Sequence, residues 1–342
     1  MKTYILEEPK KILVEEKEIP KLNENEVLIK ISHVGICGSD IHLYDGTYSG
    51  PHKYPILFGH EWSGTIFGVG SAVKGLKPGD RVTGDCSRYC DNCDYCRQDK
   101  NLCRYIEKYG ITLDGASAEF IVRDSKYIYK APDELDFDLI CLSEPMAVAA
   151  HLVNKIMRAD FVPESFLILG GGSIGIAALM LLKKFYHCEK VYLFDIDENR
   201  RTFAQSVGAQ IPDEHLMEDS EIDWSNYASL YQNAHFDAVI ETTGNEKAFQ
   251  SALRLVKPLG IVGCVGMMPE ARIIQKLIVM KALTILGSIG GTGEFEFILD
   301  FMKKNRDYVR KMISHILPFE KYDEAFSISK NISMSRKVEL RF

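Results

Sequence analysis

The stretch Ile168-Leu-Gly-Gly-Gly-Ser-Ile-Gly175 constrains this 342-residue chain most, because it leads from an apolar β-type run through three close glycines into a segment of helical period. In that setting Gly170 allows a tight turn and Gly172 lets backbone approach a pyrophosphate. Gly175 lets the helix pack close to the strand, and the N–H groups of Ser173 and Ile174 face the phosphates. Asp195 closes the next apolar run, twenty residues after Gly175. A carboxylate there bonds both hydroxyls of an adenosine ribose and repels a 2′-phosphate, so NAD is expected rather than NADP. Arg200, five residues on, either lies over the adenine or is solvated on its helix.

Apolar runs at 166–169, 191–194, 237–240, 260–265 and 284–286 alternate with segments of helical period, the pattern of a doubly wound parallel sheet. One such segment, 174–184, is apolar on most sides, as a helix buried against a sheet should be. The first 150 residues read differently. Short β-type runs such as 27–31 are broken at turns such as Lys77-Pro-Gly-Asp80, which predicts an irregular β-rich domain with long loops. A chain of this length exceeds what one core usually holds, and the expected division is 1–150 and 151–288, with mixed elements after Ser288. The acidic stretch 213–223 reads as a solvated connection.

The metal signal is Cys90-x-x-Cys93-x-x-Cys96-x6-Cys103, four thiols able to close a tetrahedron around Zn2+ with no open position, hence a structural site. Cys86, Cys141, Cys188 and Cys264 have no ligand spacing and read as buried apolar residues. His60, Glu61 and Cys37 also catch the eye, but spacing alone does not make them a second site. Nine cysteines, an odd count, fit a reducing compartment. The N-terminus turns acidic before any apolar run reaches signal length, and the expected location is cytoplasmic. A formal net charge of -7 argues against a nucleic-acid or anionic-membrane surface.

Several motifs in order make the chain resemble the zinc-dependent medium-chain alcohol and polyol dehydrogenases over nearly its whole length. They are Gly35-Ile-Cys-Gly-Ser-Asp-x-His42, Gly59-His-Glu-x-x-Gly64, Lys77-Pro-Gly-Asp-Arg-Val82, the cysteine cluster, Glu144-Pro145, the glycine turn and Glu241-Thr-Thr-Gly244. The resemblance implies an α/β plus β fold: a GroES-like β-rich catalytic domain, completed by 289–342, around a Rossmann domain. It implies Cys37, His60 and Glu61 as catalytic zinc ligands, with Glu144 as a further ligand or the partner of a bound water, and Thr243, Gly266 and Ser288 at the cofactor. It also implies a proton path in which Ser39 takes the proton of the substrate hydroxyl and His42 passes it outward by way of the cofactor ribose, with Asp40 orienting His60.

The implied activity is interconversion of a secondary alcohol of a polyol, cyclitol or vicinal diol with its ketone, with two zinc ions and NAD, in a homo-oligomer. A threonine-type amino-alcohol dehydrogenase and a non-catalytic zinc- and nucleotide-binding regulator are the rivals. Two departures from the family pattern stand out. Six residues separate Cys96 from Cys103 where seven are common, and Gly287-Ser-Ile-Gly290 resembles vicinal-diol members more than sorbitol dehydrogenases.

Overall fold

A computed structural model describes residues 1–217, 222–232 and 234–342; part of the acidic stretch 213–223 therefore lies outside the described residues. The chain forms two compact units, one of Met1–Ala147 with Gly290–Phe342 and one of Val148–Ile289. Among the described residues no helix is long and apolar enough to cross a membrane.

The first unit is built on a mixed seven-stranded sheet. Its path runs Ile128–Lys130, Arg81–Gly84, Glu61–Val69, Glu26–Gly35, Lys337–Arg341, Ile313–Pro318, with Phe120–Asp124 also paired to Glu26–Gly35. A second sheet joins Lys11–Glu16, Lys2–Glu8 and Ile56–Leu57. Alternate residues of these strands bury one apolar core that contains Tyr4, Ile29, Val34, Phe58 and Trp62. The C-terminal return adds Phe319, Phe326, Val338 and Leu340 to the same core, so the unit is assembled from two distant pieces of sequence. Phe319 stacks on Phe342 and meets Tyr4 at a tilt, with ring centroids 4.1 and 4.4 Å away.

Residue Gly35 lies opposite both Glu61 and Glu339 in the strand registers. A Cβ at Gly35 would lie 2.4 Å from Glu61 Oε2, so only glycine leaves room for that carboxylate.

The second unit carries a five-stranded parallel sheet in the order Lys190–Phe194, Ser165–Leu169, Phe236–Glu241, Val256–Cys264, Thr284–Gly287. The expected runs fall in these strands and the buried helix is Ser173–Lys184. The fourth strand starts earlier than its apolar run suggests. The register shift opposite Phe236 and Ala238 absorbs the irregular segment around Leu259, whose φ is 64°. Strand order reverses between Ser165–Leu169 and Phe236–Glu241, which opens a crevice at their C-terminal ends where open α/β sheets bind ligands.

Candidate functional site

The strand Glu26–Gly35 delivers Cys37 to the start of the helix Gly38–Asp45. At the third position of that helix, buried Asp40 accepts from the Cys37 amide at 2.9 Å and from the Gly59 amide at 3.1 Å. One carboxylate thus ties the segment that carries Cys37 to the segment that carries His60. Gly59 has φ +82°, and a Cβ there would lie 2.5 Å from Val34 Cγ1, which explains the glycine before the histidine.

Ligand atoms of Cys37, His60 and Glu61 lie within 4.8 Å of one another. Thiolate, imidazole and carboxylate form a donor set suited to zinc. Carboxylates and thiols crowd the same place. Burial opposes a charged His60, yet Asp40, then Cys37 and Glu144, raise its pKa well above the ordinary value. Among the described residues His60 Nδ1 has no hydrogen bond, since Asp40 Oδ1 stands 3.8 Å away. An anion-rich, desolvated cluster of this kind fits a dication.

Glu61 meets a cation from the far end of the chain. Lys337 Nζ donates to Glu61 Oε1 at 2.8 Å and Oε2 at 2.7 Å, and to the Ile36 carbonyl at 3.2 Å, with both side chains almost fully buried. Nothing in the sequence marks Lys337 for this role. Glu144 stands outside the group of three; burial raises its pKa, and the Cys86 thiol beside it works the other way. Cys86 and Cys141 are buried as expected but also border the site, Cys141 donating to the Glu61 carbonyl at 3.5 Å.

Ser39 and His42 are three residues apart on the helix that starts at Cys37, so they share a face. The exposed His42 holds Thr47 Oγ1 at 2.9 Å through Nδ1.

The four sulfurs of Cys90, Cys93, Cys96 and Cys103 also lie within 4.8 Å of one another, so the six-residue gap still brings the fourth thiol home. Cys103 Sγ accepts from the amides of Cys90 at 3.3 Å and Tyr105 at 3.4 Å. The amides of Arg104 and Cys96 draw the Cys93 thiol down to about 6, whereas burial pushes Cys96 up to about 12. Four sulfurs gathered this closely suit a shared cation such as zinc, whose binding would hold them as thiolates.

In the second unit the glycine turn sits at the crevice of the sheet. Gly170 has φ +102°, and a Cβ at Gly175 would lie 1.9 Å from the Gly170 carbonyl oxygen. Gly172 caps the helix without a side-chain bond, and a Cβ there would meet nothing nearer than Arg200 Nη1 at 4.0 Å. Asp195 accepts from Gly171 N at 2.7 Å and Asp197 N at 2.9 Å, with Arg200 Nη1 3.5 Å away. Thr243 and Gly244 donate to buried Glu241, and a Cβ at Gly266 would lie 2.5 Å from Glu241 Oε2. The Ser288 hydroxyl is buried with no partner among the described residues, an unmet polar group at the C-terminal edge of the sheet. The glycine turn and this orphan hydroxyl fit a dinucleotide.

Residues 23–133 match the family "Alcohol dehydrogenase GroES-like domain" and residues 138–336 match "Glucose dehydrogenase C-terminus". The chain is 31% identical to L-threonine 3-dehydrogenase of Coxiella burnetii over 90% of each chain. An alcohol dehydrogenase of Escherichia coli solved with NADH superposes with a TM-score of 0.88 at 27% identity, covering 100% of this chain and 99% of the other. A zinc-binding dehydrogenase of Sinorhizobium meliloti bound to NADP gives 0.86 at 27% identity with the same coverage.

Proposed function

Because the chain belongs to the zinc-type medium-chain alcohol and polyol dehydrogenases, we propose that it interconverts a secondary alcohol of a polyol, cyclitol or vicinal diol with its ketone, using NAD. The observation that carries this reading is the convergence of Cys37, His60 and Glu61 beside the helix face of Ser39 and His42. We assign one zinc to that triad and a second to the cysteine lobe. When bound, zinc supplies Lewis acidity toward a substrate oxygen and the nicotinamide takes up hydride.

The chain's own residues supply the rest. Asp40 holds the Cys37 and Gly59 amides and so keeps the triad in register. Ser39 accepts the proton of the substrate hydroxyl and His42 carries it outward; Thr47 occupies His42 Nδ1, which leaves Nε2 for exchange. On this reading, His42→Ala slows alcohol oxidation about tenfold to a thousandfold, most at low pH where solvent base is scarce, and added imidazole restores the rate. Wild-type rates across the pH range would leave His42 as a loop residue.

The carboxylate of Asp195, oriented by two backbone amides, supports NAD over NADP. Likeness to a threonine dehydrogenase favours an amino alcohol as the second reading. An NADH-absorbance screen of polyols, cyclitols, diols and amino alcohols, repeated with NADP, decides both points. The expected outcome is a higher kcat/KM with NAD and turnover of neutral vicinal hydroxyls; preference for threonine, or for NADP, would replace the corresponding part of the proposal.

A further inference from the structure

The last strand brings two ionisable side chains to one buried face. Side chains of Lys337–Arg341 alternate across the sheet, and Val338 and Leu340 join Val34 and Trp62 in the apolar core. Lys337 and Glu339 therefore project from the other face, where Gly35, on the intervening strand, lies opposite both Glu61 and Glu339. The helix Phe137–Cys141 closes that face. Cys141 donates to the Glu61 carbonyl, and a Cβ at Gly35 would lie 3.4 Å from Cys141 Sγ.

Hydrogen bonding separates the two carboxylates. Lys337 uses three N–H groups, two on Glu61 and one on the Ile36 carbonyl. Glu339 is fully buried, and neither of its oxygens has a partner among the described residues. Native cores rarely leave a buried carboxyl group in that state. Burial, then Asp138, pushes its pKa well above the ordinary value, and Lys337 works the other way. Other cations are engaged elsewhere: Arg310 bonds Asp136 at 2.6 Å and also Asp138, and Arg341 is exposed.

Glu61, meanwhile, has two claimants. It belongs to the group of three suited to zinc, and both of its oxygens accept from one ammonium. A dication and an ammonium on the same buried carboxylate repel each other, the more so where the dielectric is low. The ammonium can turn away only toward another acceptor, and Glu339 stands two residues along on the same face. We propose that Glu339 is a positioning residue, whose carboxyl group takes the Lys337 ammonium when Glu61 turns to the metal. An accepting oxygen suffices, so the role holds for either protonation state of Glu339. The inference rests on the assignment of zinc to the triad above. Without Glu339, lysine and metal compete for the same oxygens.

The test compares wild type, Glu339→Leu and Glu339→Gln. Zinc is titrated into metal-stripped protein against a chelator of known affinity, and the phase absent from Cys37→Ser is assigned to the triad. Glu339→Leu should weaken that phase about 10- to 100-fold, the usual effect of removing a residue that supports a metal ligand, with the cysteine lobe unchanged. Its metal-stripped form should melt no lower than wild type, because the group removed is polar, buried and without a partner. Glu339→Gln keeps an accepting oxygen and should bind zinc as wild type does. Equal affinities for wild type and Glu339→Leu, a loss of affinity in step with stability, or a glutamine variant as weak as the leucine one overturns the proposal. A crystal structure of zinc-loaded wild type tests it without mutation. Lys337 Nζ should lie within about 3.2 Å of a Glu339 oxygen, and a lysine still bonded to both oxygens of Glu61 would refute the role. Wild-type protein that binds no Cys37-dependent zinc would instead sink the assignment of the triad, and this inference with it.

Discussion

Replacing Cys37 by serine is expected to remove one zinc per chain and lower turnover at least about 10³-fold, because Lewis-acid help at the reacting oxygen is worth several kcal/mol. Cys37 supplies one of only three ligand atoms gathered within 4.8 Å, and a serine hydroxyl does not replace a thiolate at neutral pH. The cysteine lobe draws its four sulfurs from another segment and should keep its ion. Elemental analysis of the purified variant reads both outcomes. Loss of both metals would mean that the two ligand sets depend on each other; retention of both with full activity would remove the triad from the chemistry. Binding of NADH should persist, since the glycine turn and Asp195 belong to the other compact unit.

A comparable effect, on stability rather than chemistry, is expected from Lys337→Met. The change strands Glu61 as a buried carboxylate without its counter-ion, a loss that typically costs about 3–5 kcal/mol. Burial works against a charged Lys337, but Glu61 and then Cys37 raise its pKa above the ordinary lysine value. A raised pKa means that the ammonium's contribution is complete at neutral pH and is lost only as pH climbs beyond about 10.4 toward the folded-state value. Denaturant titration of metal-stripped protein should show the loss in the emission of Trp62, which is buried next to Glu61 in sequence. The double variant Lys337→Met, Glu61→Leu should regain most of it, since an apolar pair replaces a buried ion pair at little cost. Equal stabilities for wild type and Lys337→Met would show that the pair does not hold the unit together.

What could be read from the chain alone was whatever a short stretch dictates locally. Gly170 has a positive φ and a Cβ at Gly175 would meet the Gly170 carbonyl, so strand, turn and helix were legible within about a residue of their ends. The four cysteines are close in sequence, and a shortened gap did not prevent their sulfurs from meeting. Long-range partners left no such trace. Lys337 lies 276 residues from Glu61 and looks like any lysine in a strand. Thr292 donates to Asp85 from 207 residues away and bonds Asn101 of the cysteine lobe from 191, so the lobe is braced by a turn no local pattern links to it.

The split construction of the first unit has a consequence for the protein's birth on the ribosome. The unit Val148–Ile289 is a continuous run and can close as soon as it emerges, but Cys37, His60 and Glu61 are made long before the lysine that neutralises one of them. At about 5–20 residues per second the 276-residue interval lasts roughly 15–55 s. Through that wait the end of the strand Glu26–Gly35 that will receive Lys337–Arg341 has no partner on that side, and the nascent chain carries an open β edge beside a set of reduced thiols. Translation order therefore makes the first unit, first to be synthesised, the last to be finished.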